Sequence, residues 1–186
     1  MQDDLFARPP GPPPSLFFAL LPAAGDQALL DAAVQAQAPR LDGFKPVRAA
    51  KRHVTLLYLG EPFDEQLDGL VEGARRAVAG LRAQPFVLAL DQRAVFGRNA
   101  VVLAASQTPP ALAALASNLR AAATRQRIVL ARSPLPLRPH LTLGHNDGRR
   151  MVPEACAPVR LAFDAFVLLR GGAPESYLEL GRWPLG

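Results

Sequence analysis

Two of the three histidines in this sequence open the same four-residue phrase. His-Val-Thr-Leu occupies positions 53–56, and His-Leu-Thr-Leu occupies positions 140–143. Histidine is the side chain that most readily takes up and releases a proton near neutral pH. Two copies in the same local setting therefore predict one site that holds an acid and a base.

Each phrase lies in a short apolar run that is typical of a β-strand. Alternate side chains of a strand share a face, so His53 and Thr55 are expected to point the same way. The same rule places His140 and Thr142 on one face, while the intervening apolar side chains point into the core. The repeat therefore predicts two short polar rows, each backed by apolar residues.

A basic residue stands two places before each histidine. Arg138 is the better supported member of its row, because Pro139 restricts it to an extended conformation. We expect Lys51 to be a solvated loop charge. We also expect Tyr58 to lie on the core face with Val54.

Together the rows supply two imidazoles, two hydroxyls and a guanidinium. This set suits phosphoryl chemistry without a metal: a base activates the attacking oxygen and an acid protonates the leaving one. Hydroxyl and guanidinium groups then hydrogen-bond to the non-bridging oxygens. Because one positioned acid or base contributes roughly 10²–10⁴ in rate, a strained cyclic phosphate is a more tractable target than an unactivated diester.

The elements that must position these rows follow from hydrophobic periodicity and from Pro and Gly punctuation. Helices are predicted at 26–38, 64–82 and 111–127, and loops at 40–52 and 146–158. Strands are predicted at 15–21, 53–59, 86–90, 93–96, 100–105, 140–143, 159–169 and 177–180. Asp64 is expected to cap the second helix. The order predicts an α+β fold of two pseudo-symmetric lobes, whose antiparallel sheets are flanked by helices and face each other across a central cleft.

Composition narrows the possible functions. The net charge is +5 and nearly all basic residues are arginine, which favours anionic ligands such as phosphate. The single cysteine, Cys156, excludes an intrachain disulfide and a cysteine-based zinc site. We expect no metal and no cofactor.

Domain organisation and location are predicted from the same sequence. Residues 1–14 form a Pro-rich flexible leader, and 15–186 form a single two-lobed domain. The chain has no run of 18 apolar residues and no signal-peptide pattern. We expect a cytoplasmic monomer with no membrane partner.

The paired phrase, in a chain of this length and layout, resembles the 2H phosphoesterase superfamily, and most closely the bacterial RNA 2′,3′-cyclic phosphodiesterases also called 2′-5′ RNA ligases. The likeness extends over most of the chain, at 16–20, 53–61, 95–96, 101–103, 138–143, Tyr177 and 182–185. It implies metal-free hydrolysis of an RNA or nucleotide 2′,3′-cyclic phosphate to a 2′-phosphate. It also implies that His53 is the acid at the departing 3′ oxygen and that His140 is the base, a division that the residues alone leave open.

One departure affects the substrate-binding set. Family members often carry an arginine shortly after the second phrase, where this chain has Gly144 and His145. We expect His145 to supply that charge, beside Thr55, Thr142 and Arg138 as substrate-binding residues.

Two alternatives stay open at this point. The cleft could belong to a non-catalytic module that binds phosphorylated RNA ends. The same chemistry could also act on another cyclic phosphate or on a 2′-5′-linked oligonucleotide.

Overall fold

The computed structural model describes residues 14–130, 136–148 and 150–186, so the leader prediction lies outside the described residues except at Pro14. Three α-helices are present within these ranges: α1 (Gln27–Gln35), α2 (Asp64–Val78) and α3 (Pro110–Arg125). The strands are β1 (Leu16–Leu20), β2 (Lys45–Pro46), β3 (Val54–Gly60), β4 (Phe86–Phe96), β5 (Ala100–Ala104), β6 (His140–His145), β7 (Glu154–Phe163), β8 (Ala165–Arg170) and β9 (Leu178–Pro184). The short strand β2 lies within the stretch that was predicted to be a loop.

The strands form one antiparallel sheet with the order β7-β4-β5-β6-β3-β1-β8-β9, and β2 pairs with β6. The two strands that carry the repeated phrase, β3 and β6, lie side by side at the centre and pair at Val54 and Leu141. The α+β class and the antiparallel pairing are confirmed. Instead of two separate antiparallel sheets, the structure has one continuous sheet, and the β3–β6 pair joins its two halves.

The sheet curls until its two outer regions meet. Phe163 ends β7 at one edge, and Ala165 begins β8 in the other half, so only Asp164 separates the halves at this point. The backbone carbonyl of Asp164 accepts a hydrogen bond from Leu185 at 2.6 Å. The prediction of one strand over 159–169 was wrong, because the chain bends at Asp164 and passes from one half to the other.

Several other boundaries differ from the predictions: α1 ends earlier, at Gln35, and β6 and β9 run further, to His145 and Pro184. The strands predicted at 86–90 and 93–96 are one strand, β4. Its pairing with β7 is irregular next to Asp91, and the Asp91 carboxylate accepts hydrogen bonds from Ser106. The predicted loop at 154–158 is the first part of β7 and pairs with β4. α2 begins after the N-cap residue Phe63, so Asp64 is its first helical residue, and it ends at Val78, shortly before Gly80 adopts a left-handed φ of 78°.

The apolar residues of both phrases point into the main core, as predicted. Val54, Leu141 and Leu143 are fully buried and Leu56 is 4% exposed. α1 contacts β6, α3 contacts β3, and α2 packs on α3. The helices and this core therefore hold β3 and β6 in place from one side, leaving the polar rows on the other.

Both phrase-bearing strands contain an irregularity at the same place. The pairing register shifts between Thr55 and Leu57 in β3, and between Thr142 and Gly144 in β6. The leucine of the phrase is the extra residue in each case, as in a β-bulge. The repeat therefore encodes a local backbone shape as well as a set of side chains.

The bulge reverses the prediction for Tyr58. Simple alternation places it with Val54, but the extra residue returns Tyr58 to the face of Thr55. There it pairs across the strands with Phe17 and packs against the small apolar cluster that contains Phe17. Its hydroxyl donates a hydrogen bond to Glu61 Oε1 at 2.6 Å.

Candidate active site

The central strand pair brings the two polar rows together. The antiparallel register of Val54 with Leu141 aligns His53 with Thr142 and Thr55 with His140. Cross-strand neighbours of this kind have Cβ atoms about 4.5–5.5 Å apart. Four side chains from distant parts of the sequence thus converge on one face at the middle of the sheet.

Each histidine is fixed by the backbone of its own row. His53 Nδ1 lies 2.8 Å from the carbonyl oxygen of Lys51, and His140 Nδ1 lies 2.7 Å from that of Arg138. A carbonyl oxygen only accepts hydrogen bonds, so Nδ1 is the protonated nitrogen in both rings. Nε2 is therefore the nitrogen available for proton transfer in both histidines.

The two imidazoles also sense each other electrostatically. Burial lowers the pKa of His53 below its usual value, the hydrogen bond to the Lys51 carbonyl partly offsets this, and the charge of His140 lowers the pKa further. Like charges in one site disfavour double protonation. The arrangement therefore disfavours the state in which both imidazoles are charged.

Aromatic rings enclose His53. The ring centroids of Phe17 and Tyr177 each lie 5.0 Å from that of His53, and Tyr177 meets the imidazole edge-on. Phe17 and Tyr177 also pack on each other at 5.1 Å. These rings cover part of the His53 imidazole, which stays only partly exposed. Burial also raises the pKa of the Tyr177 hydroxyl.

A loop between β8 and β9, residues 171–177, carries Tyr177 to this position. Lys51 Nζ donates a hydrogen bond to the carbonyl of Ala173 at 2.8 Å and lies 5.5 Å from the centroid of the Tyr177 ring. Arg48 forms an ion pair with Glu175. Lys51 was predicted to be a solvated loop charge. It is a partly exposed charge before β3, and its ammonium group also anchors this β8–β9 loop.

The surroundings of His140 resemble those of His53 but are formed by different residues. The Phe96 ring centroid lies 4.9 Å from that of His140, and the Arg138 guanidinium lies 4.5 Å from the Phe96 centroid. In both halves, an aromatic ring flanks the histidine and the basic residue of the row lies against that ring. Arg138 itself is exposed, so its guanidinium can also meet a ligand.

His145 lies farther along β6 than the other predicted site residues. It is exposed at the strand end and pairs with Lys45 of β2 and Ala100 of β5. Close packing explains why the preceding residue is Gly144, since a Cβ there would lie 2.4 Å from Phe44 Cε2 and 2.5 Å from the Lys45 carbonyl oxygen. The structure thus brings His53, Thr55, His140 and Thr142 together, and sets His145 at the end of the same strand.

Sequence reasoning missed the aromatic enclosure. Phe17 lies in a strand that was correctly predicted, and its alternation with the buried Phe18 was the available signal. Tyr177 entered only through the family resemblance, because its contact with His53 joins residues far apart in the sequence. Within the described ranges, no group of three or more His, Cys, Asp or Glu side chains could hold a metal ion. None of the described helices is long and apolar enough to cross a membrane.

Comparisons with known proteins place this geometry in a family. The family model of the 2′-5′ RNA ligase superfamily matches residues 28–172. Among solved structures, a crystal structure of Escherichia coli LigT complexed with 3′-AMP is 28% identical, with a TM-score of 0.71, over 93% of this chain and 98% of that chain. TT0787 of Thermus thermophilus is 27% identical, with a TM-score of 0.68, over 92% of this chain and 97% of that one.

A third structure is more distant. The MHV ns2 PDE domain is 18% identical, with a TM-score of 0.52, over 90% of this chain and 99% of that chain, which shows a shared fold. No relative is found among the curated proteins. Since the family model covers most of the sequence and the fold agrees, the chain belongs to the 2′-5′ RNA ligase superfamily.

Proposed function

We propose that this protein hydrolyses the 2′,3′-cyclic phosphate of RNA ends or nucleotides to a 2′-phosphomonoester, with His53 and His140 as a metal-independent acid–base pair. The observation that carries the proposal is the shared setting of the two imidazoles. Both donate Nδ1–H to a backbone carbonyl two residues upstream. They lie on neighbouring segments of the sheet, His53 directly before β3 and His140 as the first residue of β6. Membership in the superfamily supports phosphoesterase chemistry more broadly.

The reaction needs one proton removed and one delivered. Nε2 of the basic imidazole takes a proton from water as the water oxygen bonds to phosphorus. The bond from phosphorus to the 3′ oxygen breaks, and the acidic imidazole protonates that oxygen. The products are a 2′-phosphate and a free 3′-hydroxyl.

The family resemblance assigns His53 as the acid and His140 as the base. Burial lowers the pKa of His53 in the free protein, so the acid form must be stabilised when substrate binds. A phosphate anion beside an imidazole does this, because an opposite charge favours the protonated ring. Under this assignment, the bound substrate is what stabilises the protonated form of His53 that acts as the acid.

Thr55, Thr142 and Arg138 supply the hydrogen bonds that stabilise charge on the non-bridging oxygens. The two hydroxyls flank the histidines across the strand pair, and the guanidinium lies over Phe96 at the edge of the site. His145 is assigned as a further contact for the anionic substrate from the end of β6. We expect its replacement by alanine to raise KM and to leave kcat within about threefold of wild type, because it lies outside the central set.

Product analysis of an oligonucleotide with a 2′,3′-cyclic phosphate end tests the proposal. In EDTA, the protein is expected to convert this end to a 2′-phosphate. Tight binding without turnover supports the non-catalytic RNA-end module instead. Hydrolysis of only a different cyclic phosphate or of a 2′-5′ linkage keeps the histidine chemistry but corrects the substrate.

A further inference from the structure

Arg52, the residue directly before His53, is buried although it is charged. Its side chain is only 5% exposed. The backbone of Arg52 is extended, so its side chain and that of His53 point to opposite sides of the chain. Arg52 lies on the core side with Val54, and its guanidinium therefore does not reach the polar face where the reaction takes place.

The Arg52 guanidinium contacts α1 at two points. Nη2 lies 2.7 Å from Asp31 Oδ1 in an ion pair, and Nη1 donates a hydrogen bond to Gln27 Oε1 at 3.2 Å. Helix α1 in turn contacts β6, the strand that begins with His140. Arg52 thus ties the segment that carries His53 to the helix that packs on the strand of the second histidine.

Arg52 also closes the turn that holds the His53 imidazole. Residues Ala49–Lys51 form a 3-10 turn, and the backbone N–H of Arg52 donates a hydrogen bond to the carbonyl of Ala49 at 3.1 Å. The Lys51 carbonyl of this turn lies 2.8 Å from His53 Nδ1 and accepts its hydrogen bond. The hydrogen bond at one ring nitrogen decides which nitrogen carries the proton. A shift of the turn would therefore release the imidazole from the form that leaves Nε2 free.

Stability alone does not account for a guanidinium at this position. Nε of Arg52 is buried and has no hydrogen-bond partner among the described residues, and an unpaired buried donor costs free energy. Apolar side chains of similar size often replace a buried ion pair without loss of stability. What the guanidinium adds is a fixed position of the turn against α1.

We propose that Arg52 is a positioning residue for His53. Its contacts with α1 hold the Ala49–Lys51 turn, and the Lys51 carbonyl of that turn holds the imidazole in the Nδ1–H form that presents Nε2 to the substrate. This inference rests on the proposed function and adds to it a residue that lies outside the repeated phrase and does not touch the substrate.

Arg52→Met tests the proposal, and Arg93→Met is its matched control. Arg93 is also nearly buried, its Nε also lacks a partner among the described residues, and it forms an ion pair with Glu154 at 3.1 Å. It lies in β4, which β5 separates from β6. The acidic partner is 53% exposed in both pairs, so water solvates it when the arginine is replaced. We expect both variants to fold with a Tm close to that of wild type.

The direct measurement is the protonation of the imidazole nitrogens, followed by ¹⁵N NMR of the substrate-free protein at about pH 8.5, where imidazole is ordinarily neutral. In wild type and in Arg93→Met, His53 and His140 are both expected in the Nδ1–H form. In Arg52→Met, His53 is expected to become a mixture of the two neutral forms. His140, held by the Arg138 carbonyl, stays unchanged and is the internal control. A wild-type His53 spectrum in Arg52→Met overturns the proposal.

Kinetics with adenosine 2′,3′-cyclic phosphate separate this inference from the proposed function. We expect kcat of Arg52→Met to fall roughly 10- to 100-fold and KM to stay within about threefold of wild type, because a small misplacement of a reacting group costs up to about 10² in rate. Arg52→Lys, which keeps the charge beside Asp31, is expected to recover part of the loss. Wild-type kcat in Arg52→Met, or an equal fall in Arg93→Met, overturns the positioning role while the proposed function stands.

Two further outcomes also decide. If the wild-type protein does not hydrolyse this substrate, the proposed function fails, and the NMR comparison still tests the role of Arg52. If Arg52→Met does not fold, Asp31→Ala takes its place, because Asp31 is an exposed helix residue whose loss breaks the ion pair. We expect the same change at His53 in that variant, and an unchanged His53 ring then overturns the proposal.

Discussion

Replacing Thr55 and Thr142 with valine, singly and together, tests whether the hydroxyls of the repeated phrase act on the substrate. Valine has nearly the same shape and suits a strand at least as well as threonine. Both positions are partly exposed. The substitution therefore removes the hydroxyl while leaving the fold intact, and we expect Tm to stay within about 2 °C of wild type because such surface changes alter stability by roughly 0.5 kcal/mol or less.

The magnitude follows from the strand register, which places one hydroxyl beside each histidine. Loss of one hydrogen-bond donor to a developing oxyanion costs roughly 10²–10³ in kcat, or about 2.7–4 kcal/mol. We expect each single variant to lose activity in this range. The double variant is expected to lose less than the product of the two, because residues that act on one transition state are not additive.

The assay is the initial rate of hydrolysis of adenosine 2′,3′-cyclic phosphate, with Tm measured in parallel. Thr108→Val, outside the site, is the matched control and is expected to retain wild-type rates. Single variants within about threefold of wild type would refute the idea that the hydroxyls stabilise the transition state. They would then be strand-forming residues only.

Three further predictions concern the groups around the site. Tyr177→Ala admits water to His53, so the pKa of His53 is expected to rise toward its usual value. The limb of the pH–kcat/KM profile that reports His53 should then move to higher pH. An unchanged profile contradicts the enclosure of His53 by aromatic rings. Lys51→Met removes the hydrogen bond that anchors the β8–β9 loop, which is worth about 1 kcal/mol. We expect kcat/KM to fall by roughly fivefold in this variant and to recover partly in Lys51→Arg. Equal activity of the two variants contradicts the anchoring role. Gly144→Ala forces a clash of about 1–3 kcal/mol and should lower Tm by roughly 2–12 °C. Gly69→Ala, at a helix position with open space, should raise Tm slightly. Calorimetry that ranks the two variants the other way contradicts the close packing at β6.

The histidine and threonine rows could be predicted from the sequence because they depend on a local rule. Strand alternation places His53 with Thr55 whatever the rest of the fold does. The rule failed farther along the same strand at Tyr58, because a bulge adds one residue and reverses the alternation. A bulge depends on the register with the neighbouring strand, which a single sequence does not display.

Contacts between distant segments could not be predicted for a related reason. The role of Lys51 depends on Ala173 and Tyr177, more than 120 residues away. Likewise, the apolar pattern of 159–169 is continuous, and only the sheet order shows that the chain changes halves at Asp164. Local patterns determine which strands form, whereas the tertiary arrangement of the sheet determines which distant residues those strands contact.

The most direct test of the central claim removes each of the three histidines in turn. Hydrolysis of adenosine 2′,3′-cyclic phosphate in EDTA is followed by ³¹P NMR for wild type, His53→Ala, His140→Ala and His145→Ala. We predict 2′-AMP as the wild-type product, a fall in kcat of roughly 10²–10⁴ in each of the first two variants, and a kcat close to wild type in the third. Wild-type kcat in either His53→Ala or His140→Ala would contradict the paired-histidine mechanism.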